Sequence, residues 1–125
     1  MKPEILKQNT DFRRLYKRGT SYANPVLVVY TMRNRTGLCR IGITSSKKIG
    51  NAVQRNRSRR LIRAAFQEVY KQYEKQLEGH DIIFVARTKT RYRKSTELTK
   101  VMVECLKKTK VLSDETMISD EREKT

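Results

Sequence analysis

Apolar residues recur at three- and four-residue spacing in three parts of the chain, which predicts three helices. The first helix is expected to have Asn9 or Thr10 as its N-terminal cap and to end at Gly19, the second extends to about Leu77, and the third has Ser95 as its cap. The apolar stripes of these helices are Phe12, Leu15 and Tyr16; Leu61, Ile62, Ala65, Phe66, Val69 and Tyr73; and Leu98, Val101, Met102, Cys105 and Leu106.

Stretches rich in β-branched and aromatic residues predict three strands, at 26–32, 39–44 and 80–86. The turn signal at 34–37 predicts that the first two form an antiparallel hairpin. The third is nearly continuous in apolar residues and is expected at the centre of the sheet. Residues 1–9 read as a poorly ordered lead-in and 21–25 as a connector. The order α-β-β-α-β-α predicts an α/β fold, a two-layer α-β sandwich with a small mixed sheet.

The charge distribution indicates what kind of partner the protein binds. The chain has 125 residues, with 29 Lys and Arg against 13 Asp and Glu, a formal net charge of +16. No acidic residue occurs between Phe12 and Gln67, whereas five acids lie beyond Lys110. We therefore expect a single α/β domain over residues 1–112 and an acidic, disordered tail over 113–125. The one-sided charge of the first half predicts a polyanionic partner, most simply a nucleic acid.

Several classes of function are disfavoured by the residues present. No stretch approaches the roughly 20 apolar residues of a membrane span, and the N-terminus does not read as a signal peptide, so we expect a cytoplasmic protein with no membrane partner. Cys39 and Cys105 sit in apolar patterns and read as buried thiols. With His80 as the lone histidine and no Cys-x-x-Cys pair, we predict no metal site and no catalytic residue in the protein itself.

The stretch 46–63 carries seven basic side chains and no acid. Ordinary amphipathic helices mix charge signs on their solvated faces, because like charges four residues apart repel. Arg55, Arg59 and Arg63 have that spacing without an acid among them, which favours a polyanion-binding face over plain solvated surface. Asn56 offers a planar donor and acceptor for a base or phosphate, although it also fits a local cap.

Aromatic residues next to basic ones supply a second candidate surface. Phe12, Tyr16 and Tyr30 provide rings that can stack on the bases of a single strand, although Phe12 and Tyr16 also fit a core role. Double-stranded RNA would instead be held through phosphates and 2′-hydroxyls. The residues alone leave open a structural RNA binder, such as a ribosomal protein, and less favourably a DNA-binding helix.

The stretch 46–63 closely resembles the RNR signature of the protein subunit of bacterial ribonuclease P. The run 11–16, Tyr30 at the end of the first strand and the run 82–87 also resemble that family, and the resemblance covers roughly residues 5–108. Ser45 departs from the pattern, since the family usually has a branched apolar residue there. Tyr16 departs as well, because it replaces a second phenylalanine.

The resemblance implies a sandwich with an unusual left-handed β-α-β crossover, against the right-handed default. It implies a ribonucleoprotein whose RNA subunit carries the active site, requires Mg²⁺ and cleaves precursor tRNA to remove the 5′ leader. The implied partners are ribonuclease P RNA and precursor tRNA, without an obligatory protein partner or a cofactor held by the protein. The implied contacts to the RNA subunit are Lys47, Lys48, Arg55, Asn56, Arg57, Arg59, Arg60 and Arg63. The implied leader-binding cleft comprises Phe12, Tyr16, Tyr30, Ala86 and Arg87.

Overall fold

The computed structural model describes residues 2–113, which form three α-helices and a five-stranded sheet. The elements are β1 Glu4–Ile5, α1 Asn9–Arg18, β2 Thr20–Ala23, β3 Leu27–Arg33, β4 Arg40–Thr44, α2 Ala52–Leu77, β5 His80–Ala86 and α3 Ser95–Lys108, with short 3-10 turns at Lys47–Ile49 and Thr90–Tyr92. All three predicted helices are present. The residues that precede α1 and α3 are Gln8 and Lys94 rather than the predicted caps, and neither makes a side-chain capping bond. No helix within residues 2–113 has the length and apolarity that crossing a membrane requires.

The strand order is β1-β4-β5-β3-β2, so β5 lies at the centre, as predicted from its apolar sequence. It pairs parallel with β4 and antiparallel with β3, which confirms a mixed α/β fold. The predicted hairpin between β3 and β4 is wrong, because β5 lies between them. A strand that is apolar on both faces is best buried between two neighbours, and a β3–β4 hairpin would leave β5 with a partner on one side only. The turn at 34–37 forms, but it passes over the start of β5, where the Asn34 and Gly79 backbones bond at 2.8 Å.

The sheet has two edge strands that the sequence reading missed. Within the supposed lead-in, β1 pairs parallel with β4, and Leu6 is buried beside it. The supposed connector contains β2, which pairs antiparallel with β3 from Thr20 opposite Thr31 to Ala23 opposite Val28. Both strands are short and mostly exposed, so they lack the apolar alternation that reveals a half-buried strand.

Two separate apolar clusters occupy the opposite faces of the sheet, because successive strand residues point to alternate sides. The main core lies between the sheet and helices α2 and α3, and it includes Leu27, Phe66 and Phe84. The smaller cluster lies under α1 and is centred on Leu15 and Ile83. The predicted two layers are thus the sheet and the α2–α3 pair, and α1 adds a partial layer on the other face. The parallel β4-α2-β5 unit is present, and its left-handed crossover stays a prediction from the resemblance.

The last residues that the structure describes pack against the main core. Val111 and Leu112 are buried, and the backbone amide of Ser113 donates to the Gln76 side chain at 3.2 Å. Apart from Ser113, the predicted disordered tail lies outside the described residues. Cys39 and Cys105 are buried free thiols, as predicted, and burial raises the pKa of each to about 12.

A buried carboxylate links α1 to the sheet, a feature that the sequence reading missed. Asp81 is 1% exposed. It accepts hydrogen bonds from Nε and Nη2 of Arg40 at 2.8 and 2.7 Å and from Nδ2 of Asn34 at 2.8 Å. On α1, Nη2 of Arg14 lies 3.8 Å from Asp81 and 2.8 Å from Asp11. The hydrogen bond to Asp81 raises the pKa of the Arg40 guanidinium. This network anchors the strand ends beneath α1.

We expect Asp81→Asn to lower the free energy of unfolding by about 1–3 kcal/mol, because it weakens charge-assisted hydrogen bonds and leaves Arg40 with a neutral partner. Urea unfolding followed by circular dichroism measures the change. Glu97→Gln is the control, since it removes an exposed carboxylate that pairs with Arg93 at 3.4 Å in the first turn of α3, and it should change stability by less than about 1 kcal/mol. Equal effects of the two substitutions would contradict a structural role for Asp81.

Candidate nucleic-acid interface

The basic helix α2 begins at a tightly specified turn. The side chain of Asn51 accepts from the Gln54 amide, and the Gln54 side chain accepts from the Asn51 amide, each at 2.9 Å. This reciprocal pair is a capping box. The N-terminal cap of α2 is therefore Asn51, and the suggestion that Asn56 is a cap is wrong. Gly50 precedes it with φ of +142°, and a Cβ there would lie 1.8 Å from Oε1 of Gln54. The turn therefore requires glycine, and it fixes where the basic residues begin.

The helix separates a buried face from a basic one, as its sequence pattern predicts. Ile62, Ala65, Phe66 and Val69 are at most 1% exposed. Ser58 extends this face toward the N-terminus, because it is fully buried and its hydroxyl donates to the carbonyl of Gln54 at 3.1 Å. These contacts hold the helix rigidly, so the opposite face keeps a fixed orientation.

The basic face contains an open recess of about 410 Å³ lined by Asn56, Arg59, Arg60 and Arg63. Within it, Nη2 of Arg59 donates to Oδ1 of Asn56 at 3.1 Å. Lys47, Lys48 and Arg57 are exposed nearby in the sequence. Within residues 2–113, no salt bridge involves a basic side chain of this segment. Four positive or donor side chains around one recess suit phosphate oxygens or base edges.

Arg55 differs from the other arginines of this segment. It is half-buried, and its guanidinium donates to the carbonyl of Gly50 at 3.3 Å. It therefore supports the capping turn and lies outside the recess. Ser45, just before the segment, has a hydroxyl with no hydrogen-bond partner in the described part of the chain. That environment fits the apolar residue that usually occupies this position in the resembled family.

The three predicted aromatic residues come together on the α1 face of the sheet. The Tyr16 ring meets Tyr30 edge-on with centroids 4.9 Å apart, and it lies 6.5 Å from the Phe12 ring. Tyr16 is 43% exposed, while Phe12 and Tyr30 are half-buried. A Cβ at Gly42 would lie 2.7 Å from the Phe12 ring, so the absence of a side chain at this position lets the ring pack directly against the sheet. We call Phe12, Tyr16 and Tyr30 the ring surface.

Ala86 does not join the ring surface. It is 5% exposed and belongs to the main core, on the opposite face of the sheet. The register explains this, because Tyr30 pairs with Ile83 and a residue three further along β5 points the other way. Arg87 is exposed at the end of β5, and its guanidinium donates to the Asn24 carbonyl at 3.2 Å. Four residues beyond Ile83 place it about 13 Å along the strand direction.

Basic residues adjoin Phe12 and Tyr16 in the sequence of α1. Arg13, Arg14, Lys17 and Arg18 are exposed on α1. In the described part of the chain, no three side chains of His, Cys, Asp or Glu come together as a metal-binding group. The molecule thus presents a basic helix on one face of the sheet, and on the other a cluster of rings next to a helix with exposed cationic side chains.

Comparison with known proteins decides which family this arrangement belongs to. The family model described as Ribonuclease P matches residues 1–110. The chain belongs to the ribonuclease P protein family. The "Ribonuclease P protein component" of Clostridioides difficile strain 630 is 40% identical over 106 residues, covering 85% of this chain and 91% of the relative. That of Alkaliphilus metalliredigens is 38% identical over 109 residues, covering 86% and 95%.

Solved structures of the family share the fold. The Staphylococcus aureus RNase P protein superposes with a TM-score of 0.69 at 38% identity, covering 88% of this chain and 98% of that one. The Thermotoga maritima RNase P protein gives a TM-score of 0.69 at 26% identity, covering 81% and 93%. The predicted family is therefore confirmed, and with it a function as a subunit of the ribonuclease P endoribonuclease, in association with ribonuclease P RNA.

The packing of the Phe12 ring on Gly42 can be tested by substitution. Gly42→Ala should displace the Phe12 ring, because the added methyl group would overlap it at 2.7 Å. We expect roughly 1–3 kcal/mol lower stability from overpacking and weaker binding of leader-bearing RNA. Thermal unfolding and equilibrium binding measure the two effects.

The double variant Gly42→Ala, Phe12→Leu separates them. A smaller side chain at position 12 relieves the overlap, so stability should recover while leader binding does not. If Gly42→Ala binds leader-bearing RNA as the wild type does despite its lower stability, the position of the Phe12 ring is unimportant for binding.

Proposed function

We propose that the basic face of α2 binds ribonuclease P RNA and that the ring surface holds the 5′ leader of precursor tRNA. The contacts to the RNA subunit would come from Lys47, Lys48, Arg55, Asn56, Arg57, Arg59, Arg60 and Arg63, and those to the leader from Phe12, Tyr16, Tyr30 and Arg87. The recess between Asn56 and Arg63, which no acidic side chain of residues 2–113 lines, is the observation that carries the proposal. Arg55 contributes mainly by supporting the turn before the helix.

The two surfaces lie on opposite faces of one sheet, which suits a protein that joins two RNAs. A structured RNA on α2 meets guanidinium groups whose helix is fixed by the main core, so little conformational entropy is lost on binding. A single-stranded leader on the other face meets rings for its bases and lysines and arginines for its phosphates. The protein thereby brings substrate and RNA subunit together and lowers the repulsion between their phosphates.

In this proposal the active site lies in the RNA subunit, and the Mg²⁺ that the holoenzyme requires is held by RNA phosphates. Bound Mg²⁺ would activate the attacking water and stabilise the leaving oxygen. The protein's part is to orient the leader relative to that site.

Reconstitution at low Mg²⁺ concentration tests the proposal. Wild-type protein with a ribonuclease P RNA should cleave precursor tRNA at the mature 5′ end under conditions where the RNA alone is slow. RNA-free protein should not cleave, and the holoenzyme should prefer precursor over mature tRNA. Cleavage by highly purified RNA-free protein, or equal binding of precursor and mature tRNA, would reject the division of roles.

A further inference from the structure

Arg91 and Tyr92 form an ordered feature between β5 and α3, outside both surfaces described above. Nη2 of Arg91 donates to the Tyr92 hydroxyl at 2.6 Å, and the guanidinium carbon lies 4.7 Å from the centroid of the Tyr92 ring. Tyr92 is nevertheless 72% exposed. The guanidinium thus restrains the ring while most of the ring surface stays in solvent.

The same arginine attaches this feature to the basic segment that precedes α2. Nη1 of Arg91 donates to the carbonyl of Ile49, and a Cβ at Gly50 would lie 2.9 Å from that nitrogen. The turn itself is anchored in the core, since Thr90 is fully buried and its hydroxyl donates to the Val26 carbonyl at 2.5 Å. Tyr92 is therefore held in a fixed place relative to the start of α2.

The surrounding charge indicates what kind of partner reaches Tyr92. The loop 87–94 contains five basic residues and no acid. Because β4 and β5 are parallel, the basic segment after β4 and this loop after β5 leave the sheet at the same edge. A polyanion bound along the start of α2 would extend directly over the loop.

We propose that Tyr92 is a stacking site for an unpaired nucleobase of ribonuclease P RNA, an inference that rests on the proposed function of α2. The Arg91 guanidinium would lie on one side of the ring and the base on the other. Cationic contact and base stacking are both favourable on an aromatic ring, and a restrained ring loses little entropy on binding.

The RNA subunit is favoured over the leader as the source of the base. The turn Thr90–Tyr92 packs against α2, on the main-core side of the sheet, whereas the ring surface lies under α1 on the other side. The simplest alternative is an exposed tyrosine that contributes only surface. That alternative predicts no dependence of RNA affinity on an aromatic ring at this position.

The test compares Tyr92→Ala, Tyr92→Leu and Tyr92→Phe in equilibrium binding to a ribonuclease P RNA at several salt concentrations. Tyr92→Ala should weaken binding by about 5- to 150-fold, the effect of losing one stacked base. Tyr92→Leu should lose about as much, because it keeps apolar volume without the ring. Tyr92→Phe should retain most of the affinity, because it keeps the ring and its contact with the Arg91 guanidinium and loses only the hydrogen bond to the hydroxyl. The slope of affinity against salt should not change, since no phosphate contact is removed.

Two outcomes would overturn the inference. Wild-type affinity for Tyr92→Ala, or equal affinity for the leucine and phenylalanine variants, would mean that no base stacks on the ring. A lower preference of the Tyr92→Ala holoenzyme for precursor over mature tRNA would place the contact on the leader instead. Neither result bears on α2, whose role would fail separately if the wild-type protein did not bind the RNA subunit.

Discussion

Replacing Arg59, Arg60 and Arg63 by alanine should reduce affinity for ribonuclease P RNA by roughly a thousandfold while leaving the fold intact. The three side chains line one recess, and none of them has a carboxylate partner in the described structure. At about 1.5 kcal/mol for each charge-assisted hydrogen bond, the three account for that loss. Each lost phosphate contact should also reduce the slope of affinity against salt by about 0.7–0.9. Filter binding across a salt series measures both quantities.

A control of equal charge change uses Lys75, Lys100 and Lys108, three exposed lysines outside the basic segment. Their replacement by alanine should have a much smaller effect on both affinity and slope. Arg55→Ala should differ from both sets. It removes a hydrogen bond to the Gly50 carbonyl, so it should lower the free energy of unfolding. Its effect on the slope of affinity against salt should be small. An unchanged slope in the triple variant, or a loss of thermal stability that matches the loss of binding, would show that the recess is not a phosphate site.

The helices and their faces were predictable because the information that determines them is local. The stripe from Ile62 to Val69 predicted the buried side of α2, and the acid-free run before it predicted the basic side. Even Ser58, which is fully buried, lies four residues before Ile62 and continues the same stripe. A short polar side chain at such a position can bond to the preceding turn, so a polar residue in the stripe does not end it.

Strand pairing was less predictable, because it depends on residues distant in the sequence. The turn at 34–37 gave a hairpin signal, but β5 is apolar on both faces, and both are buried best when β5 lies between β3 and β4. The hydrogen bonds of Asp81 to Arg40 and Asn34 span 41 and 47 residues, so no local sequence pattern predicts them. Ala86 is different. Its inward orientation follows from the two-residue strand period once Tyr30 is paired with Ile83, so only the register was missing.

The ring surface carries the second large effect that we expect. The double variant Tyr16→Ala, Tyr30→Ala should weaken precursor tRNA binding to the holoenzyme by up to about 2–6 kcal/mol if each ring stacks on one base. The two rings touch each other at 4.9 Å, so their contributions should add incompletely, and the single variants with the double variant form a cycle that measures the coupling. Binding of mature tRNA should change little, because it has no leader.

Measuring both RNAs with the same holoenzymes provides the control. Tyr16→Phe and Tyr30→Phe keep the rings and should retain most of the affinity, whereas an additional hydrogen bond from the Tyr16 hydroxyl to the leader would appear as a small loss in Tyr16→Phe alone. Thermal unfolding of the double variant checks the fold, since Tyr30 is half-buried beside the α1 cluster. Equal weakening for precursor and mature tRNA would mean that the rings support the structure or contact the RNA subunit, and the leader would then have to bind elsewhere on the protein.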